Sequence, residues 1–411
     1  MGVNGLIAIT NGKLVDPART GAEAGTLLLK GETIFAAGAV EVPADAETVD
    51  AKGLLVAPGI IDLGVFKTDK PAFLFGGITR AALMPDQSPV LDDPGLVQHA
   101  ARAGKPDFWV HPLAAATKGL EGRELAEMAM MKAAGARAVA TGRRWIADSG
   151  VMFRVLRYAA ALDLVVIAHA EDDGLAGNAV ATSGETSTRL GLPSAPACAE
   201  AIAIARDIML AREADAAIHF RNVTTAQGFD LVRQAKAEGL KVTCGVSPAY
   251  LFLSDNAVSD FRTFARLSPP LRSEEDRKAA IAAVGDGTVD VISSSHDPRG
   301  PEDKRLPFAD AAPGMAGAET LLALSLNLAR DGIVGMNRLF SMLTTNPAHI
   351  LGINAGTFAQ GAAADIILID PEVPWQVDSN RMAAQAGNTP FDRMPVQGRV
   401  RRIMKGGQFL N

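Results

Sequence analysis

Eight short apolar runs, separated by stretches of helical period, restrict what this chain can fold into more than any other feature. They are Val56–Val65, Ile78–Leu83, Phe108–Val110, Ala136–Ala140, Leu164–Ala168, Ala216–Phe220, Leu240–Val246 and Val289–Ser293. Little polar alternation interrupts them, as in parallel strands covered on both faces. Pro58-Gly59 punctuates entry to the first run. Gly76-Gly77 turns the chain into the second, which stops at Pro85. Between and after the runs, Gly122–Ala134, Thr225–Glu238, Met315–Ala329 and Met336–Leu343 carry helical patterns. Thr224-Thr225 offers caps to one of them, Gly239 ends it, and Pro347 stops the last. Eight strands alternating with helices predict an α/β fold, a (β/α)8 TIM barrel whose chemistry sits at the strand ends.

The two ends of the chain differ from this middle. Residues 1–54 read as short strands (Leu6–Thr10, Lys13–Val15, Gly25–Lys30, Thr33–Ala37, Glu47–Asp50) with turns at Asn11-Gly12 and Lys30-Gly31-Glu32. The far end answers with Gly361–Asp370, Val396–Val400 and Arg402–Leu410, turned at Gly406-Gly407. Two β-rich ends flanking an α/β region pack most simply as one small β-sandwich. The expected division is 1–54 and 351–411 for the sandwich and 55–350 for the barrel.

Composition narrows the function classes. Of the 411 residues 48% are hydrophobic, enough for a large core, while the net charge of −6 comes with no basic run. Nucleic acid and anionic membrane are therefore not expected as partners. No apolar run reaches the roughly 18 residues of a membrane span. Met1–Gly5 shows no signal-peptide pattern, and the two cysteines, Cys198 and Cys244, have no ligand spacing. A reduced, cytoplasmic setting is the expectation.

Several motifs carry a family resemblance. APGIID at 57–62, GGIT at 76–79 and MPDQSPVLDD at 84–93 are joined by TKGLEG at 117–122 and HAED at 169–172. RLGLPSAPACAE at 189–200, PPLRSEEDR at 269–277, LTTNPAHILG at 343–352 and GNTPFD at 387–392 complete the set. Together they resemble the dihydroorotases of type I, within the amidohydrolase superfamily, over nearly the whole chain. The resemblance implies the barrel with its small β-sandwich, and zinc held at the strand ends.

A catalytic zinc needs about three imidazole or carboxylate ligands and an open position for water. Aligned on the motifs, the family's His-X-His falls on Gly64 and Phe66. The bridging acid or carboxylated lysine falls on Gly142, within a run that continues to Arg143-Arg144. His169 falls on a ligand position and keeps its identity. The next ligand histidine falls on Asn222, and the aspartate that is both ligand and general base falls on Ser295. Substrate positions differ as well: Thr68 stands for an arginine, Asp86 and Ser268 for asparagines, and Arg299 for a histidine. His296 keeps its place in the family's Asp-His pair.

The resemblance therefore extends to the pseudo-dihydroorotases, homologues without the metal ligands that assemble with aspartate carbamoyltransferase. It implies no catalytic residue, no cofactor, a vestigial pocket lined by Thr68, Asp86, Arg143, His169, Asn222, Ser268, Ser295, His296 and Arg299, and a homodimer or larger assembly. The alternative is an active dihydroorotase or other cyclic-amide hydrolase with an atypical site. Plainer readings stand beside these. His169 is expected as a vestige held by hydrogen bonds, Glu171 and Asp172 as caps of the following loop, and His99, His111, His219 and His349 as structural. Arg143-Arg144 has the fork geometry for a carboxylate or phosphate, with a solvated pair as the default.

Overall fold

The computed structural model describes residues 5–18 and 22–410; Met1–Asn4, on which the expectation of no leader largely rests, lie outside them. The apolar runs form a ring of eight strands. In order they are Ile60–Val65, Ile78–Leu83, Trp109–Pro112 continuing as Ala114–Ala115, Val139–Ala140, Val166–Ala168, Ile218–Phe220, Val242–Val246 and Val291–Ile292. Neighbouring strands pair in parallel. Leu113 bridges the two arcs of the ring: its N–H donates to Leu83, and the next residue, Ala114, donates to Ala138.

The first and eighth strands close the ring through a buried acid. Asp62 accepts the backbone N–H of Ser294 at 2.9 Å and also its hydroxyl. Burial pushes the Asp62 carboxyl up from its ordinary value, against the pull of both Ser294 bonds. Beyond it, the Phe66 N–H donates to the His296 carbonyl at 2.9 Å.

Helices cover the ring where the sequence calls for them, with two exceptions. Ala226–Ala237 is capped by Thr225, whose side chain accepts from the Gly228 N–H, and Met336–Leu343 forms with its expected bounds. In contrast, Gly122–Ala134 is helical only over Met128–Ala133, because Leu125 makes a β-bridge to Thr117. Met315–Ala329 is helical only from Leu321, because Met315 bridges to His296 beside the eighth strand. Pro347 does not follow the last helix. It sits in the first turn of a further short one, Thr345–Ile350, where its missing N–H is not needed.

Both chain ends build one eight-stranded sheet. Its path runs Gln408–Leu410, Pro395–Lys405, Ile366–Gln376, Leu55–Pro58, Leu6–Leu14, Glu23–Lys30, Thr33–Gly38, with Glu47–Asp50 also paired to Leu6–Leu14. Period-two alternation assigns its faces. Val56, Ile366, Leu368 and Met404 join Ile9, Leu27, Leu29 and Ile34 in a separate core, while Leu55, Ala57, Ile367, Ile369 and Ile403 face the barrel core.

Three details differ from the sequence reading. Asn11-Gly12 is not a turn but a bulge inside one continuous strand, with Asn11 at φ +56°. A Cβ on Gly12 would lie 2.5 Å from Val56 Cγ2, so the close strand approach needs glycine. The barrel boundary at 55 moves, since Leu55–Pro58 pairs with Ile366–Gln376 in the end sheet. The boundary at 351 is not clean either: Leu351 and Ala355 pack with Ile61 and Leu63 of the barrel, and Gln385 and Asn388 bond to barrel loops. No helix among the described residues is long and apolar enough to cross a membrane.

Candidate functional site

At the mouth of the ring, arginines meet an aromatic ring. The Arg143 guanidinium carbon lies 3.7 Å from the Phe66 ring centroid and that of Arg221 lies 4.9 Å from it. Such stacking is favourable where water is excluded. Arg144 is exposed, as a solvated residue would be, but Arg143 is half-buried. Its backbone N–H donates to Asp86 Oδ1 at 2.9 Å and its Nη1 to Asp297 Oδ2 at 2.7 Å, an oxygen that Arg299 Nη2 also reaches at 3.1 Å. Burial pushes the Asp86 carboxyl up, with Arg143 opposing.

Arg221 follows the sixth strand and is 3% exposed. No hydrogen bond or ion pair engages its guanidinium among the described residues, and its Nε is buried without a partner. Burial, with Arg143 adding to it, lowers its pKa from the ordinary arginine value.

His169 lies at the end of the fifth strand with its ring buried. Burial holds its pKa down to about 3, and Arg221, Arg272 and Arg143 act in the same sense, so the imidazole is neutral. Its Nε2 stands 3.9 Å from Glu171 Oε2, beyond hydrogen-bond reach; the hydrogen bond that holds the residue is its backbone N–H donating to Thr141 Oγ1 at 3.0 Å. Only Asp172 of the expected pair caps the following helix, accepting from the Leu175 N–H. Glu171 instead pairs with Arg272 Nη2 at 3.0 Å. Arg272 also donates to Thr224 Oγ1 at 2.9 Å and Thr182 Oγ1 at 3.2 Å and lies 3.6 Å from Glu200.

Asn222 Nδ2 donates to Ser295 Oγ at 3.1 Å, leaving Asn222 Oδ1 buried without a partner. Ser268 and Ser295 line the mouth. His296 and Thr68 do not join them. His296 is fully buried; its Nδ1 accepts the Ala318 N–H at 3.3 Å, so Nε2 carries the proton shared with Asp69 Oδ2 at 3.3 Å. That bond, with one from the Gln385 N–H, outweighs the burial of Asp69 and lowers its pKa. Thr68 turns its carbonyl to the Gln385 side chain at 3.1 Å. Of the other histidines, His111 and His219 are buried and burial lowers each to about 3, while His99 and His349 are exposed.

A cavity of about 510 Å³ opens above, lined by Arg143, Arg144, His169, Asn178, Arg266 and Ser268 among others. An inner recess of about 20 Å³ reaches Phe66, Arg143, Arg221, Ser247, Tyr250 and Ser295. Arg221, Arg266 and Arg272 escaped the sequence reading. An arginine directly after a strand end was the available signal for Arg221.

The fold and sequence both have relatives. A family profile described as dihydro-orotase-like matches residues 55–227. A dihydroorotase of Pelobacter propionicus is 39% identical over 98% of this chain and 99% of its own length. One of Syntrophotalea carbinolica is 38% identical over 96% of each. The chain belongs to the dihydroorotase family. Among solved structures, the L-hydantoinase (dihydropyrimidinase) of Arthrobacter aurescens superposes with a TM-score of 0.87 at 25% identity, covering 98% of this chain and 95% of that one. This family member thus has the amidohydrolase type of barrel with its mostly-β segment from both ends.

The residues present do not fit the zinc that a dihydroorotase scaffold implies. Gly64, Phe66 and Gly142 bring no donor side chain, and Asn222 and Ser295 are weak neutral ones. Nor is their space open. A Cβ on Gly64 (φ +103°) would lie 3.1 Å from Arg221 Cδ, and one on Gly142 would lie 2.9 Å from both Asp86 Oδ1 and Leu120 Cδ1. Three guanidinium groups, of Arg221, Arg272 and Arg143, act on His169 and would repel a divalent ion. No group of three or more His, Cys, Asp or Glu that could hold a metal occurs among the described residues.

Proposed function

We propose that this dihydroorotase homologue is non-catalytic and supports the assembly of aspartate carbamoyltransferase in pyrimidine biosynthesis. One observation carries the reading: Arg221 packs into the space beside Gly64, and Phe66 stacks against Arg143 and Arg221 where the family's paired histidines would stand. The barrel, its closure through Asp62 and its end sheet are intact, so the fold keeps what an assembly partner uses. The partner and the cytoplasmic setting follow from the resemblance to pseudo-dihydroorotases, which are built on the same frame without ligands.

The test is to mix the purified chain with aspartate carbamoyltransferase of the same organism and measure mass by light scattering during size exclusion. A complex of fixed stoichiometry, with a more heat-resistant transferase, is expected. Two separate peaks at micromolar concentration would overturn the partner assignment.

A second reading has its own support. Relatives named dihydroorotase are 36–39% identical over nearly the full length. On that reading the chain interconverts carbamoyl aspartate and dihydroorotate through an atypical site, and turnover by the purified protein decides between the two.

A further inference from the structure

We infer that the recess at Arg221 is a carboxylate-binding site, taking the carboxylate of a small organic acid whose body lies in the outer cavity. This goes beyond the assembly role and stands whether or not a partner protein binds.

The first observation is charge without a partner. Arg221 is a buried cation that no carboxylate within ion-pair distance neutralises. The nearby acids are committed elsewhere: Asp297, which lines the recess, accepts from both Arg143 and Arg299, and Asp86, outside its lining, accepts from the Arg143 backbone. Three guanidinium groups (Arg143, Arg221, Arg299) face two carboxylates. One positive charge is left over in a buried place, and buried charges without counter-charge are costly.

The second observation is the donor set. Arg221 Nε and Ser247 Oγ are buried and unpartnered, and both residues are at most 3% exposed. Both line the recess, together with Arg143, Ser268 and Ser295. Its volume, about 20 Å³, admits one water-sized group, such as a carboxylate oxygen. The outer cavity shares Arg143, Ser268 and Pro313 with the recess, so the two adjoin. Arg266 lines the outer cavity and has its own unpartnered Nε. Arg144 lines it too, as do Glu171, which Arg272 pairs, and Asp173; a second acidic group on the ligand would meet more guanidinium than carboxylate there, which makes a short dicarboxylate the best-matched form. Guanidinium forks suit carboxylates because two parallel N–H groups meet two oxygens.

The experiment is calorimetric titration of the purified protein, in chloride-free buffer, with succinate, acetate and chloride. Succinate is expected to bind at one site per chain, acetate more weakly, and chloride least. Arg221→Met is expected to weaken succinate at least tenfold. Because this variant removes an uncompensated buried charge, it is expected to melt no lower than the parent in the absence of succinate. Crystals grown with succinate provide a check independent of any variant and should place a carboxylate within hydrogen-bond distance of Arg221. No succinate binding at about 10 mM, a weaker limit than useful recognition needs, would overturn the proposal. So would binding that Arg221→Met leaves unchanged, chloride binding tighter than succinate, or succinate found only away from Arg221.

Discussion

Arg272→Met removes the one cation that holds two buried acids beside the pocket. The guanidinium is 2% exposed and pairs with Glu171 at 3.0 Å, with Thr224 and Thr182 hydroxyls, and at 3.6 Å with Glu200. The two glutamates do not lose equally. Glu200 still accepts the backbone N–H groups of Thr224 and Thr225, whereas Glu171 loses its hydrogen-bonded counter-charge. Removing one partner of a buried ion pair costs about 3–5 kcal/mol. Retained Glu200 bonds and the similar bulk of methionine place the expected loss near about 3 kcal/mol.

The loss should depend on pH with a defined sign. Burial already pushes the Glu171 carboxyl up, and Arg272 is the main force against it. Without Arg272 the folded-state pKa rises further above the unfolded value. A protonated Glu171 needs no counter-charge, so the variant recovers stability as pH falls. Urea unfolding followed by fluorescence of Trp109, Trp145 and Trp375 at pH 8 and pH 5.5 measures both effects. The double variant Glu171→Gln/Arg272→Met should regain most of the loss at pH 8. A loss under about 1 kcal/mol at pH 8, in the range of a surface pair, would refute the claim that this network is buried and paired.

Further outcomes follow from other buried groups. Asp62→Ala leaves the Ser294 N–H and hydroxyl unpaired at the barrel seam and should cost about 2–4 kcal/mol in urea unfolding. His219, held down to about 3 by burial, contributes stability that is full above its unfolded pKa and is lost as pH falls below it. His219→Gln should therefore flatten the acid limb of stability by about 1.4 kcal/mol per pH unit between roughly pH 6 and 4. Asp207 has the opposite sign: burial raises it from 3.8 to about 6. Its contribution is full below 3.8 and fades by about 3 kcal/mol as pH rises to 6. Asp207→Asn should remove that fall, as read from melting at pH 4 and pH 6.5. Gly64→His should lower the melting temperature, by a cost of roughly 1–3 kcal/mol for a left-handed non-glycine residue. It should not confer zinc uptake measured by equilibrium dialysis, because Arg221 Cδ lies 3.1 Å from its Cβ.

What the sequence made legible is local and periodic. The eight apolar runs became the eight barrel strands, and the β-rich ends met in one sheet, because burial on both faces or on one face leaves different apolar patterns. Where helices fell short, a tertiary pairing had overridden the period, as at Leu125 against Thr117 and Met315 against His296. The site was half legible. Motif alignment located Gly64, Phe66, Gly142, Asn222 and Ser295, and the structure brings Phe66, Asn222 and Ser295 together with His169 near one mouth. What fills that mouth was not legible, because Arg221 meets Phe66 and Arg143 only through three different strand ends. Arg272 and Glu171 stand 101 residues apart in sequence, and no local pattern joins them. Thr68 and His296 were misplaced because alignment gives a position along a strand, not the loop hydrogen bonds to Gln385, Asp69 and Ala318 that turn these residues away.

The most direct test of the account is dihydroorotase turnover by the purified chain, in both directions, with and without added zinc, against a blank of zinc alone. A mouth filled by Phe66, Arg143 and Arg221 predicts no turnover above that blank in either direction. Turnover well above it would contradict the account and mean that residues outside the family's ligand positions build a working site.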